Sequence, residues 1–292
     1  MIITKVFGGL GNQMFQYAAG RALSSRVGSR LQVDVRSHHL EGASHNGYEL
    51  ERVFSVAPEQ ATDQSVADVL GWRRSRQVQR LLRKLKVRTG RYVVEPHFHH
   101  WSGFERLESP CYLDGYWQST EYFSRIADVI ASDFQFRQPL KGENARLAEL
   151  IDSQPRAVSL HVRRGDYISN KSAAVHHGTC DLDYYHRATS RMAQELQGQP
   201  RYVVFSDDID WARANLNLSP DAVFVGHNQG KDSHFDMQLM SRCRHHILAN
   251  SSFSWWGAWL NRRAERTVLA PKRWFLAAHD TSTLTPADWI RL

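Results

Sequence analysis

IITKVFGGLGNQMFQYAAGRALSSRVGSRLQVDV, residues 2–35, is the stretch that decides the fold. Residues 2–7 read as a short apolar strand, and glycines at 8, 9 and 11 make a turn behind it. Met14, Phe15, Ala18, Ala19, Ala22 and Leu23 then recur at helical spacing with polar residues between them. LQVDV at 31–35 reads as the next strand. Strand, glycine loop, helix and strand form a βαβ unit, which implies a parallel sheet. Gly9 and Gly11, with Asp34 further on, imitate a dinucleotide fingerprint. Met14 replaces its third glycine, and a large side chain there obstructs close packing of helix on strand. A nicotinamide site is therefore not expected. Asn12, at the helix start, is placed instead to present its amide to a cleft between domains.

Downstream, YVVE at 92–95 and CYLDGYW at 111–117 read as further strands of the same half. A helix is expected within 137–156, between proline-marked breaks. Strands at 157–162, 201–208, 221–226, 245–250 and 267–271 then alternate with helices at 183–197, 235–243 and from 251 onward. The expectation is an α/β protein of two doubly wound domains, 1–152 and 153–292, facing a cleft, with a last helix able to cross back. A chain of 292 residues suits two cores better than one.

No segment approaches the ~20 apolar residues that span a bilayer, and the N-terminus lacks a signal-peptide layout. The three cysteines are dispersed, without a CxxC pair, which suits a reducing compartment. The expected location is the cytoplasm, with the inner face of the membrane left open. The net charge of +7 fits nucleic acid, acidic lipid or an anionic small substrate. Much of it lies in 73–91, RRSRQVQRLLRKLKVRTGR, with nine basic residues and no acid. Val78, Leu81, Leu82 and Leu85 fall on one stripe of an amphipathic helix there. This reads equally as a solvated face over a core stripe or as contact with anionic lipid or a lipid-linked acceptor. No nucleic-acid module accompanies it, so nucleic acid is not an expected partner.

Three strand ends of the second half collect chemistry, and in open parallel sheets ligands bind outside those ends. His161-Val162-Arg163-Arg164-Gly165-Asp166 leaves the first, with His161 and Arg163 on one face. Paired arginines suit a diphosphate, and Asp166 can orient one of them. A surface Arg–Asp pair in a turn is the plainer reading. Ser206-Asp207-Asp208 leaves the second, where helix capping explains at least one aspartate. Asn250-Ser251-Ser252-Phe253 opens a helix, which is either a capped end or an anion site. Trp255, Trp256 and Trp259 read as core. Asp236 is either a favourable N-terminal acid or a carboxylate that accepts two N–H donors from a guanine edge. His97, His99 and His100 lack an evident acidic or cysteine partner, so no metal site is expected.

Together GGLGNQMFQYAAGRAL at 8–23, HVRRGDYI at 161–168, FSDD at 205–208, YYHRA at 184–188 and FDMQLMSRCRHHILANSSFSWWGAWL at 235–260 resemble the bacterial α-1,2-fucosyltransferases of glycosyltransferase family 11. The HxRRxD core is shared with α-1,6- and protein O-fucosyltransferases. The resemblance implies a GT-B fold of two Rossmann-like domains, no cofactor, no divalent metal, and GDP-β-L-fucose as donor. It implies that Arg163 contacts the GDP phosphates and that His161 lies in the donor site with Asp207. Asp236 would read the guanine, and Ser251, Ser252 and Phe253 would line the nucleotide. Asn12 would reach the reaction centre from the loop of Gly9 and Gly11, which is counted with the donor site. Fucose would pass with inversion to a galactose 2-hydroxyl of a surface-polysaccharide acceptor, free or lipid-linked. Asp166 is the only candidate base, and it competes with an orienting role. Residues 36–110 match no family pattern and are where acceptor choice is expected to lie.

Overall fold

The computed structural model describes residues 1–39, 46–84, 90–164 and 178–292. The chain forms two compact units. One comprises Met1–Gln138 with Asp280–Thr285, the other Pro139–His279 with Pro286–Leu292. The division falls at Gln138–Pro139 rather than 152/153, because the helix Gly142–Ser153 lays Ala148 and Ile151 into the second unit's core. The late segment assigned to the first unit is not helical.

In the first unit β1 (Ile2–Lys5), α1 (Leu10–Arg26) and β2 (Leu31–Asp34) form the expected βαβ unit. They are followed by α2 (Leu50–Val53), β3 (Glu59–Gln60), α3 (Asp63–Leu70), α4 (Arg76–Lys84), β4 (Tyr92–Val94), β5 (Cys111–Asp114) and α5 (Ala127–Asp133). The sheet is parallel in the order β3-β2-β1-β5-β4. Strand β5 stops before Gly115, sooner than CYLDGYW suggests, and Trp117 follows at φ +56. The helix α3 carries no signal used above. Its start is fixed by a reciprocal capping box between Thr62 and Ser65. On α4, Val78 and Leu82 pack onto the core, but Leu81 is 55% exposed and leaves the expected stripe. Leu85 lies outside the described residues.

Met14 is fully buried in α1, so the helix accommodates it. The close approach occurs instead at Gly20, where an added Cβ would stand 3.0 Å from Leu31 Cδ1 and from Thr4 Cβ. Gly20→Val is therefore expected to overpack the contact of α1 with β1 and β2. The expected cost is about 1–3 kcal/mol, read as a lower urea midpoint at unchanged slope.

The second unit runs α6 (Gly142–Ser153), β6 (Ala157–Val162), α7 (Leu182–Glu195), β7 (Arg201–Ser206), α8 (Ile209–Asn215), β8 (Val223–Val225), α9 (His234–Arg242), β9 (His245–Ile247), α10 (Ser252–Trp259), β10 (Val268–Ala270) and β11 (Ile290–Arg291). Its parallel sheet has the order β11-β10-β9-β6-β7-β8. β11 is an edge strand beyond the expected last one, too short for a period to register. Alternation divides β6 between two cores. Val158, Leu160 and Val162 face α7 and α8, while Ala157 shares a core with Leu239, Met240 and Phe253. Trp255, Trp256 and Trp259 are buried, with the Trp256 and Trp259 rings 5.0 Å apart.

Candidate active site

In the second sheet the chain steps from β6 to β7 and β8, then returns to β9 on the other side of β6. The order reverses between β6 and β9, and a crevice for a ligand opens at the carboxyl ends of strands at such a point. Two of the motifs quoted above leave those two strands: His161–Arg164 from β6, and Asn250–Phe253 from β9.

The alternation along β6 separates the two arginines. Arg163 continues the side of His161, whose ring lies 6.0 Å from that of Phe253. Arg164 continues the side of Val162, and its guanidinium stacks 3.8 Å over the Trp211 ring. Parallel pairing of Val162 with Ser206 brings the aspartates after β7 alongside. Asp207 pairs with Arg163 at 3.2 Å and accepts the Arg164 backbone N–H at 2.8 Å. Asp208 caps α8 by accepting from Trp211 N at 3.2 Å, and it lies 3.5 Å from Arg164 Nε. One aspartate is thus a cap, as capping preference suggests, and the other orients the arginine loop. Among the described residues, Asp207 holds Arg163 in the way the sequence suggested for Asp166. Gly165 and Asp166 lie outside the described residues.

His161 is buried, and its Nδ1 has no hydrogen-bond partner among the described residues. Burial, then the Arg163 charge, hold its pKa down at about 3, so the imidazole is neutral at neutral pH. Its carbonyl accepts from the Tyr185 hydroxyl at 3.1 Å. Ser251 is the N-cap of α10, its hydroxyl accepting from Phe253 N at 3.3 Å, and Ser252 opens the helix. Asn250 is a structural tie. Its amide donates to the carbonyls of Gly178 at 3.0 Å and Trp274 at 3.2 Å.

Asp236 sits in the first turn of α9, which packs on α10 so closely that a Cβ on Gly257 would lie 2.9 Å from Met240 Cβ. Burial pushes its carboxyl up to about 7, partly offset by the Asn228 amide donating at 2.7 Å. Asn228 is in turn clasped by Asn144 through amide bonds of 2.8 and 2.9 Å, and His227 Nε2 lies 2.8 Å from Asn144 Oδ1. None of these three supporting residues belongs to a motif, and their sequence distance hid them.

The first sheet has its own reversal, between β1 and β5. Gln118, after β5, donates to Asn12 Oδ1 at 2.7 Å and so fixes the amide that the glycine loop presents. The glycine this geometry requires is Gly8, at φ +78, where a Cβ would stand 2.9 Å from Asn12 Nδ2. Gly9 is the N-cap of α1 at φ −75, and Gly11 is buried in the helix. Trp117 keeps its left-handed backbone because Glu95 accepts the N–H groups of Tyr116 at 2.7 Å and Trp117 at 3.0 Å. Burial, with the neighbouring Asp114, pushes Glu95 up to about 7 despite those bonds. Asp34 is engaged within its own unit. Its oxygens accept from Arg36 at 2.7 and 2.8 Å and from the Tyr112 hydroxyl at 2.6 Å. Gly9, Gly11 and Asn12 thus belong to the first unit, and His161, Arg163, Asp207, Asp236 and Ser251–Phe253 to the second.

The histidine cluster has other partners. His97 and His99 stack at 3.6 Å, and His100 Nδ1 lies 3.1 Å from Glu121. Among the described residues no group of three His, Cys, Asp or Glu is arranged to hold a metal ion.

The profile of "Glycosyl transferase family 11" matches residues 92–291. The chain is 33% identical to the O-antigen biosynthesis glycosyltransferase WbnK of Escherichia coli, covering 98% of each protein. It is 32% identical to an alpha-1,2-colitosyltransferase of Escherichia coli, covering 100% of this chain and 99% of that one. Its fold is similar to the crystal structure of fucosyltransferase NodZ from Bradyrhizobium, with TM-score 0.52 and 16% identity over 88% of this chain and 90% of that one. The two parallel-sheet units are thus those of a GT-B-like fold, as the resemblance implies. A match over most of the length, and through both sheet reversals, leads to one conclusion: the chain belongs to glycosyl transferase family 11.

Proposed function

We propose that the protein transfers L-fucose from GDP-β-L-fucose to the 2-hydroxyl of a β-galactoside, with inversion, during assembly of a surface polysaccharide such as O-antigen. The observation that carries this reading is Arg163, held by Asp207 at the sheet reversal near the N-terminus of α10. The acceptor hydroxyl gives up its proton to solvent and its oxygen forms a bond to the anomeric carbon as the bond from that carbon to the β-phosphate oxygen breaks. Negative charge then grows on the departing diphosphate. A guanidinium and the N–H dipoles of a helix start stabilise charge of that kind. In this reading the fixed Arg163 guanidinium takes the part a divalent metal would otherwise play. The ionised Asp236 supplies two acceptors for the adjacent N–H donors of guanine, and Ser251, Ser252 and Phe253 line the nucleotide. The acceptor glycan, free or lipid-linked, falls to the first unit, whose sheet reversal carries Asn12 and Gln118.

The 32% identity to a colitosyltransferase favours a second reading, in which the donor sugar is colitose. Offering GDP-fucose and GDP-colitose separately with lactose, in EDTA, tests both. The expected product is 2′-fucosyllactose, its linkage read by NMR. Colitosyl transfer alone would replace the donor, and a product on another hydroxyl would replace the linkage.

A further inference from the structure

Helix α4 and the turn before it carry chemistry that the transfer reaction does not use. Val78 and Leu82 turn inward onto the core of Ile3, Val66, Tyr92 and Tyr112. Helical spacing then sends Gln77, Arg80, Leu81 and Lys84 outward, and all four are exposed. The 3-10 turn Gly71–Arg74 adds Trp72, 65% exposed, with the Arg73 guanidinium 4.8 Å above its ring. Leu81 is 55% exposed amid these cations.

A merely solvated face accounts for the arginines and lysine, but it leaves a tryptophan and a leucine in water for no gain. A nucleic-acid backbone would use the cations and likewise leave the apolar pair idle. An interfacial surface uses both. Basic side chains meet anionic headgroups while the indole and the leucine enter the boundary between headgroups and acyl chains. The sequence from 73 to 91 holds no acid that would repel such a surface. Among the described residues no helix is long and apolar enough to cross a membrane, so contact by these residues would be peripheral.

We propose that Gly71–Arg74 and the outer face of α4 form a docking surface for an anionic lipid bilayer. This stands independently of the donor reading.

Flotation of the whole protein with phosphatidylcholine vesicles, with and without phosphatidylglycerol, tests it. Binding is expected only to the anionic vesicles and is expected to weaken with salt. Trp72→Ser with Leu81→Ser is expected to weaken it about tenfold, and Arg80→Glu with Lys84→Glu to abolish it. Circular dichroism and Tm of both double variants are expected to stay near wild type, since the changed side chains are exposed. The proposal is overturned if anionic vesicles are not bound. It is overturned equally if folded Trp72→Ser/Leu81→Ser protein binds them as wild type does, which would mark general attraction of a basic chain. Tighter binding to duplex DNA or RNA than to vesicles, lost in the charge-reversal variant, would also overturn it.

Discussion

Arg163→Ala is expected to lower kcat by about 10²–10³-fold while leaving the fold intact. The side chain is partly exposed, and its ion pair with Asp207 is the kind whose loss costs about 1 kcal/mol or less. Asp207 also keeps a donor in the Arg164 backbone N–H at 2.8 Å, so the truncation leaves no stranded carboxylate. Arg164→Ala makes the informative contrast. That guanidinium lies over Trp211, on the other side of β6, and its removal is expected to lower Tm more than it lowers kcat. Arg163→Lys is expected to fall between wild type and alanine, because an ammonium keeps the charge but loses the planar fork. Steady-state kinetics with Tm measured in parallel separates these cases. Near-normal turnover in folded Arg163→Ala would remove Arg163 from the reaction.

The second large effect concerns Asp236. Asp236→Asn replaces two acceptors by one acceptor and one donor, so a guanine edge meets a mispaired amide. Hydrogen bonds to charged groups contribute about 1.5–3 kcal/mol each, so Kd for GDP is expected to rise about a hundredfold or more. Kd for ADP should hardly change, and titration calorimetry with both nucleotides reads the ratio. The acidity of the group adds a pH signature. Its carboxyl stands at about 7 in the folded protein against an ordinary 3.8. At pH 6 guanine binding must therefore expel a proton, and at pH 8 it need not. GDP affinity is expected to rise from pH 6 to 8 in the wild type and to rise less in Asp236→Asn, where only the titration of the nucleotide's own terminal phosphate remains. Stability of the free protein runs the other way. A raised folded-state pKa contributes fully below about pH 4 and is lost as pH rises toward 7. Tm of the free protein should fall over that window, less so in the asparagine variant. Loss of GDP and ADP binding in equal measure would show that Asp236 does not read the base.

Much of this arrangement was legible in the sequence, and the illegible parts share a cause. The strand, loop and helix of residues 2–35 announced themselves through local period. Arg163 and Ser251 stood out because strand ends and helix starts are local features. What divides Arg163 from Arg164, and Asp207 from Asp208, is the pairing of Val162 with Ser206, a contact between distant segments. The Asn144–Asn228 clasp spans 84 residues and has no motif. Leu81 differs from Leu82 only by which side of α4 meets the core, and periodicity alone does not rank two neighbours at the margin of a stripe. Gly8 and Gly9 are the same letter. Only the backbone tells which one needs a left-handed turn.

The assignment of Asp280–Thr285 to the first unit bears on any attempt to build chimaeras from relatives. Thr283 accepts the His100 backbone N–H at 2.7 Å, so this late segment helps complete the early unit's hydrogen bonding. A hybrid spliced once, at 138/139, pairs one parent's body with the other parent's patch. Three junctions, with the six-residue insert travelling alongside the front half, keep each module's native partners together.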